Sequence, residues 1–143
     1  MRCYVFKLMW VDQLLSTFLN AQPPIPLHAI CAMAALVVGG LQMFMQKGTA
    51  LHIVAGRIWV ALMALVAMSS FFIYELKIWG NYSPIHFLSA WTLLSLGAGI
   101  YFIRKGNIRR HKFIMASLFY LALVLTGTFT LLPGRLMHTV LFQ

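Results

Sequence analysis

The chain has 143 residues, of which 62% are hydrophobic and only 9% are charged. A soluble domain carries about a quarter charged residues, so this composition excludes a soluble, disordered or fibrous protein and leaves an integral membrane protein. The net charge of +9 would suggest a nucleic-acid partner in a soluble chain. Here the basic residues lie in short connectors between apolar runs, as in the cytoplasmic loops of membrane proteins, and we expect no nucleic-acid partner.

Four apolar runs are long enough to cross a bilayer, for which about 20 helical residues suffice. They extend over residues 26–45, 50–74, 84–103 and 111–132. Because short connectors place neighbouring helices antiparallel, the sequence predicts an all-α integral membrane protein with an up-down bundle of four transmembrane helices. This transmembrane domain is predicted over residues 22–143.

Residues 1–20 differ from these four runs. They carry three charged residues and have no uncharged core of spanning length, while Trp10, Leu14 and Phe18 follow helical spacing. We expect a short interfacial amphipathic helix here, with a frayed terminus as the alternative. A cleaved signal peptide is not expected, because the segment lacks a small-residue cleavage site of the usual form.

The distribution of charge predicts the orientation in the membrane. Connectors one and three, with the helix starts beside them, hold seven of the eleven basic residues: Lys47, Arg57, Arg104, Lys105, Arg109, Arg110 and Lys112. The other side holds the remaining basic residues and both acidic ones, Asp12 and Glu75. We therefore expect connectors one and three in the cytoplasm and both termini outside.

Four of the five histidines open a predicted helix. The first residue of helix one is predicted at Pro26, and the N-caps of the other three helices at Thr49, Ser83 and Asn107. Each first turn then holds one histidine: His28, His52, His86 and His111. One histidine in the first turn of every membrane helix points to a shared role.

In an up-down bundle, His28 and His86 share the outer leaflet, and His52 and His111 share the inner one. Each pair can bind the iron of a haem b from opposite sides, because a neutral imidazole is an axial haem ligand. Small residues follow His28, His52 and His86 along their own helix faces and leave room for a ring. These four histidines are therefore the candidate metal ligands and cofactor-binding residues.

Other interpretations of the histidines stay open. A side chain at the third helical position can reach back to the cap residue, and a histidine at a membrane interface tolerates both media. Small residues every three or four positions also pack membrane helices without any cofactor. Another metal or a quinone pocket is a further alternative. No catalytic residue is assigned, because the spans hold no carboxylate and no nucleophile, P-loop or zinc-protease motif occurs.

The outer end is predicted to be the more functional one. His28, His86, Arg135 and His138 should converge there, because helices one and three begin on the side where helix four ends. Arg135 beside a helix N-terminus favours a haem propionate, a quinone head group or a lipid phosphate. Arg57 is the corresponding propionate partner at the inner end. The alternative is that these side chains face water separately.

The chain resembles a bacterial family of predicted four-helix membrane proteins of unknown function, in the runs KGTALHIVAGRIWV, SSFFI, SPIHFLS, RKGNIRRHKFIMASLFY and GTFTLLPGRLMH. The resemblance extends over about residues 22–143, and SPIH and FTLLPGR are its most specific parts. It implies the fold and a multi-pass protein of the bacterial inner membrane, with periplasmic termini by the charge rule. It implies no activity.

The placement of the histidines also resembles the architecture of the di-haem cytochrome b561 class. Those proteins move electrons between ascorbate or quinol and an acceptor across a membrane. The resemblance implies His28 with His86, and His52 with His111, as ligand pairs. The expected function is therefore a b-type haem electron carrier that exchanges electrons with quinone. The alternative is a non-catalytic accessory or scaffold subunit, bound through its apolar faces to other membrane subunits or in a homo-oligomer.

The predicted orientation can be tested by thiol labelling of intact cells, in a chain whose Cys3 and Cys31 are replaced by serine. We expect Lys105→Cys in connector three to be protected from a membrane-impermeant reagent and Asn81→Cys in connector two to react. Both positions should react in permeabilised cells, which serve as the control. Labelling of Lys105→Cys but not of Asn81→Cys in intact cells would reverse the assignment.

Overall fold

The structure, a computed structural model, describes residues 24–72 and 84–130. Within these ranges the chain forms four apolar helices of spanning length and no strand, which confirms the predicted all-α membrane fold. The spans are α1 (Ile25–Phe44), α2 (Ala50–Ser70), α3 (Pro84–Arg104) and a fourth built from α4 (Ile108–Ser117), a π-helical segment (Leu118–Leu125) and α5 (Thr126–Thr130). The interfacial helix predicted for residues 1–20 lies outside the described residues.

Contacts along α1 and α2 show that the two helices run antiparallel. Near the start of α1, His28 Nδ1 lies 2.9 Å from Ser69 Oγ at the end of α2. Near the end of α1, Gln42 Nε2 donates a hydrogen bond to the carbonyl of His52 at the start of α2 (3.1 Å). α2 also packs on α3, α3 packs on α4, and the π-helical segment packs back on α1. The four spans therefore form a closed up-down bundle.

Two of the predicted N-caps are confirmed. The Thr49 side chain accepts a hydrogen bond from the His52 backbone N–H, and the Asn107 side chain accepts one from the Arg110 N–H. These bonds satisfy backbone donors that have no partner inside the helix. The third predicted cap, Ser83, lies outside the described residues.

Some helix boundaries differ from the prediction. α1 begins one residue before Pro26, because the carbonyl of Pro24 already accepts the His28 N–H (3.0 Å) and proline is tolerated throughout the first turn. α2 ends at Ser70, and Phe71 and Phe72 form a turn rather than continuing the helix to residue 74. The fourth span begins directly after the Asn107 cap, which is three residues before the predicted start at 111.

The buried core fills the middle of the bundle and joins all four spans. It consists of Ala35, Trp59, Met63, Leu96, Leu118 and Leu123. Trp59 Nε1–H donates to the carbonyl of Ala35 (3.0 Å), so the one polar atom of this large ring has a partner inside the apolar interior. The two ends of the bundle are thus separated by packed side chains.

A π-helical segment in the fourth span was not predicted from the sequence. It allows Leu118 and Leu123 to be buried together in the core. In an α-helix with 3.6 residues per turn, two residues five positions apart lie on different faces. The wider π-helix pairs each N–H with the carbonyl five residues earlier and brings such residues to the same face.

The outward faces of the spans are apolar. At most 22% of the apolar window of any span is buried inside the protein, and large side chains such as Leu41, Leu94 and Phe129 are exposed. An exposed apolar surface of this extent suits lipid acyl chains and not water.

Gly39 is the position where α1 approaches its neighbours most closely. A Cβ atom on Gly39 would lie 2.5 Å from Trp59 Nε1 and 2.7 Å from the Phe119 ring, whereas a Cβ on Gly40 would meet nothing within 4 Å. We expect Gly39→Ala to lower the free energy of unfolding by about 1–3 kcal/mol through overpacking. Gly40→Ala, the matched control, should leave it unchanged or slightly raised, since alanine favours a helix. Denaturation of both variants in detergent measures the difference, and equal stabilities would contradict this packing.

Candidate functional site

All four candidate histidines lie in the first turn of a span. His28 and His111 are the fourth residues of α1 and α4, and His52 and His86 are the third residues of α2 and α3. The basic end of the bundle comprises connectors 45–49 and 105–107 with the helix ends beside them, and holds His52 and His111. The opposite end comprises the first turns of α1 and α3 and the last turn of α2, and holds His28 and His86.

At the opposite end, two serines of α2 hold the ring of His28. Its Nδ1 lies 2.9 Å from Ser69 Oγ and 3.4 Å from Ser70 Oγ. Both hydroxyl groups donate to the carbonyl of Val66, at 3.0 and 2.8 Å, so their oxygens are left to accept. His28 Nδ1 therefore carries the proton, and in the neutral ring Nε2 is the unprotonated nitrogen.

His86 packs against the residue that follows these serines. Its ring centroid lies 5.8 Å from that of Phe71, with the two planes tilted by 57°. His28 from α1 and His86 from α3 thus contact consecutive residues at the end of α2. Arg135 and His138 lie outside the described residues, so their convergence on this end stays a prediction.

At the basic end, the backbone of α3 holds the ring of His111. Its Nδ1 lies 2.9 Å from the carbonyl oxygen of Gly99. A carbonyl can only accept a hydrogen bond, so Nδ1 is the donor and Nε2 is again the unprotonated nitrogen of the neutral ring. α3 and α4 lie close together here, since a Cβ on Gly99 would collide with the terminal methyl of Met115.

His52 has a different environment. Its Nδ1 is buried and has no hydrogen-bond partner among the described residues, although its backbone N–H and carbonyl are both bonded. His52 and His111 lie at the same end of the bundle, in the first turns of α2 and α4. Arg57, further along α2, is exposed.

The side-chain contacts do not follow the capping interpretation for His28 and His111. Each ring bonds to a neighbouring helix rather than to its own cap residue. The sequence shows the serines of α2 as adjacent hydroxyls at the end of an apolar run, but their role as partners of His28 was missed. Gly99 gives no sequence signal at all, because it contributes a backbone carbonyl.

Each end of the bundle holds two of the four candidate histidines. Within residues 24–72 and 84–130, no group of three or more His, Cys, Asp or Glu side chains can hold a metal. A haem iron already has its ring nitrogens and takes axial ligands alone, so two histidines match its requirement in number.

Comparison with known families confirms the membrane assignment. A family model described as "Predicted membrane protein (DUF2306)" matches residues 25–142. The chain belongs to this family. The match includes all four spans and places the protein in a lipid bilayer. No curated protein and no solved structure matches the chain.

The family carries no assigned activity, so it bears on the fold and not on the histidines. The bacterial inner membrane, the periplasmic termini and the architectural likeness to cytochrome b561 stay predictions. The same holds for haem, quinone and any partner subunit.

The protonated nitrogen of each ring can be observed by nuclear magnetic resonance of isotope-labelled histidine. We expect the neutral rings of His28 and His111 to be protonated at Nδ1, because oxygen acceptors face that atom. The double variant Ser69→Ala/Ser70→Ala should abolish this preference at His28, with His111 as the internal control. Protonation of both rings at Nε2 in the unmodified protein would contradict the described geometry.

Proposed function

We propose that this protein is a small b-type haem electron carrier of the membrane that exchanges electrons with quinone. The observation that carries the proposal is the orientation of one histidine at each end. The Nδ1 atoms of His28 and His111 each face a fixed oxygen of a neighbouring helix, which makes Nε2 the unprotonated nitrogen of the neutral ring. An unprotonated Nε2 is the atom that binds a haem iron.

This arrangement is the one that metal-binding histidines use. Their second ring nitrogen almost always donates to a carbonyl, a carboxylate or another oxygen, which fixes the tautomer and the ring direction. The Gly99 carbonyl has this role for His111, and the Ser69 hydroxyl has it for His28. Both oxygens belong to packed spans, so the rings are held before any ligand binds.

The second ligand at each end would come from the histidine on the alternate helix. At the opposite end, His86 contacts Phe71, the residue that follows the serines bonded to His28. At the basic end, His52 lies in the first turn of α2 and has a buried Nδ1 without a hydrogen-bond partner among the described residues. A buried polar atom left in this state costs about 1–3 kcal/mol, which a bound ligand atom can recover.

The packed core supports a haem site at the ends of the bundle, because Trp59 and Met63 fill its middle. When bound, a haem would supply one-electron chemistry. The exposed Arg57, and Arg135 at its predicted position, would supply positive charge for the propionates. A site at a helix end is also open to the interface, where the polar head group of a quinone can approach.

The decisive experiment is a reduced-minus-oxidised absorption spectrum of protein purified after expression with added haem. We expect the α band of a b-type haem. At the basic end, His111→Ala and His52→Ala should each lower the haem content. At the opposite end, His28→Ala and His86→Ala should each lower it as well. Gly40→Ala, at a position where an added Cβ meets nothing within 4 Å, is the control and should leave the haem content unchanged.

Circular dichroism of the same samples separates loss of haem from loss of folding. A folded protein without an α band would overturn the haem proposal and leave the accessory or scaffold subunit as the function. An α band that survives all four substitutions would show that haem binds elsewhere.

A further inference from the structure

We propose that the connector between α3 and α4, with the helix ends beside it, is a binding site for anionic phospholipid head groups. Five cations meet there, which we call the hairpin cluster: Arg104, Lys105, Arg109, Arg110 and Lys112. All five are exposed, and the part of the chain that the structure describes contains no acidic residue. Their charge therefore has no counterpart within the described protein. The proposal does not depend on haem.

A rigid turn fixes the cluster in place. Gly106 adopts a positive φ of 74°, and its N–H bonds the carbonyl of Ile103 (3.0 Å). The N–H of Asn107 bonds the carbonyl of Phe102 (2.8 Å), which completes a Schellman motif at the end of α3. The Asn107 side chain then caps α4 through the Arg110 N–H (3.1 Å). The two helix ends that carry the cations are thus held together without a flexible loop.

Aromatic rings at the end of α3 support two of the cations. The Arg110 guanidinium lies 5.1 Å from the centroid of the Phe102 ring, and the Lys105 ammonium lies 5.9 Å from that of Tyr101. Both distances fall within the range of about 6 Å for cation–π attraction. These contacts hold the side chains along the helix end and leave their positive charge uncompensated.

Lys47 lies at the same end of the bundle, but its ammonium group is hydrogen-bonded within the protein. Its ammonium donates to the carbonyls of Gln42, Met43 and Met45, at 3.2, 2.6 and 3.0 Å, and so caps the end of α1. Within the described residues, no side chain of the hairpin cluster makes a hydrogen bond of this kind. The cluster is therefore available to an external anion.

The surroundings of the cluster favour a lipid over a soluble anion. The cations lie at the ends of membrane spans, where phospholipid head groups are found. Ile108 and Phe113 flank the cations of α4 in the sequence, and they are 66% and 72% exposed. A phospholipid offers a phosphate to the cations and acyl chains to these apolar side chains, whereas free phosphate satisfies only the charge.

The test is thermal unfolding of the full chain in mild detergent, titrated with phosphatidylglycerol or with phosphatidylcholine. We expect phosphatidylglycerol to bind more tightly and to raise the melting temperature at lower concentration. R109Q/R110Q should weaken the binding of phosphatidylglycerol about 30-fold at low salt, since each removed charge costs about fivefold near a lipid surface. R109K/R110K, the matched control, keeps both charges and should retain most of the preference.

A second pair of substitutions tests the proposal even if R109Q/R110Q fails to fold. R104Q/K112Q leaves the contact between Arg110 and Phe102 intact and should weaken phosphatidylglycerol binding to a similar extent. Equal stabilisation by the two lipids, or glutamine variants that keep the preference, would overturn the proposal. Inorganic phosphate that competes at the same concentration as phosphatidylglycerol would assign the site to a soluble anion instead and would also overturn it.

Discussion

A bilayer offers no water to backbone N–H and C=O groups, so a chain that crosses it must bond these groups within the protein. A chain with 62% hydrophobic residues crosses the membrane as helices because helices satisfy these groups internally. Polar side chains then lie at helix ends or bond to groups of their own helix or of a neighbouring one. Thr49 and Asn107 are used as caps, Lys47 closes the end of α1, and the histidines occupy first turns.

The same constraint explains why the histidines are so well held. A polar ring nitrogen in apolar surroundings needs a partner, and a span has few polar groups to spare. The hydroxyls of Ser69 and Ser70 and the carbonyl of Gly99 provide partners for His28 and His111. Each bond at Nδ1 selects one tautomer of the neutral ring. In the proposed function, Nε2 of that tautomer is the ligand atom.

The sequence was sufficient for features that depend on local pattern. The number of spans, their antiparallel order and the caps at Thr49 and Asn107 follow from apolar length and from residue types at helix ends, and all appear in the structure. The family match over residues 25–142 agrees with the membrane assignment. The charge-based orientation also rests on local pattern, and no contact within the bundle tests it.

Features that depend on how one helix is rotated against another were not predictable. The partners of His28 and His111 come from positions 41 and 12 residues away in the chain. The π-helical segment depends on which leucines the core can accept, and Gly39 depends on where the Trp59 ring lies. These rotations depend on side-chain packing between helices, and the spacing of residue types along the chain does not predict that packing.

We propose that paired histidines from opposite sides of the bundle hold a haem iron. Electron paramagnetic resonance of the oxidised, purified protein tests it most directly, because the signal reports the axial ligands. Two neutral imidazoles predict a low-spin ferric signal that His111→Ala or His28→Ala converts in part to high spin. A haem signal that is high-spin before any substitution, or the absence of a ferric haem signal from folded protein, would contradict the account.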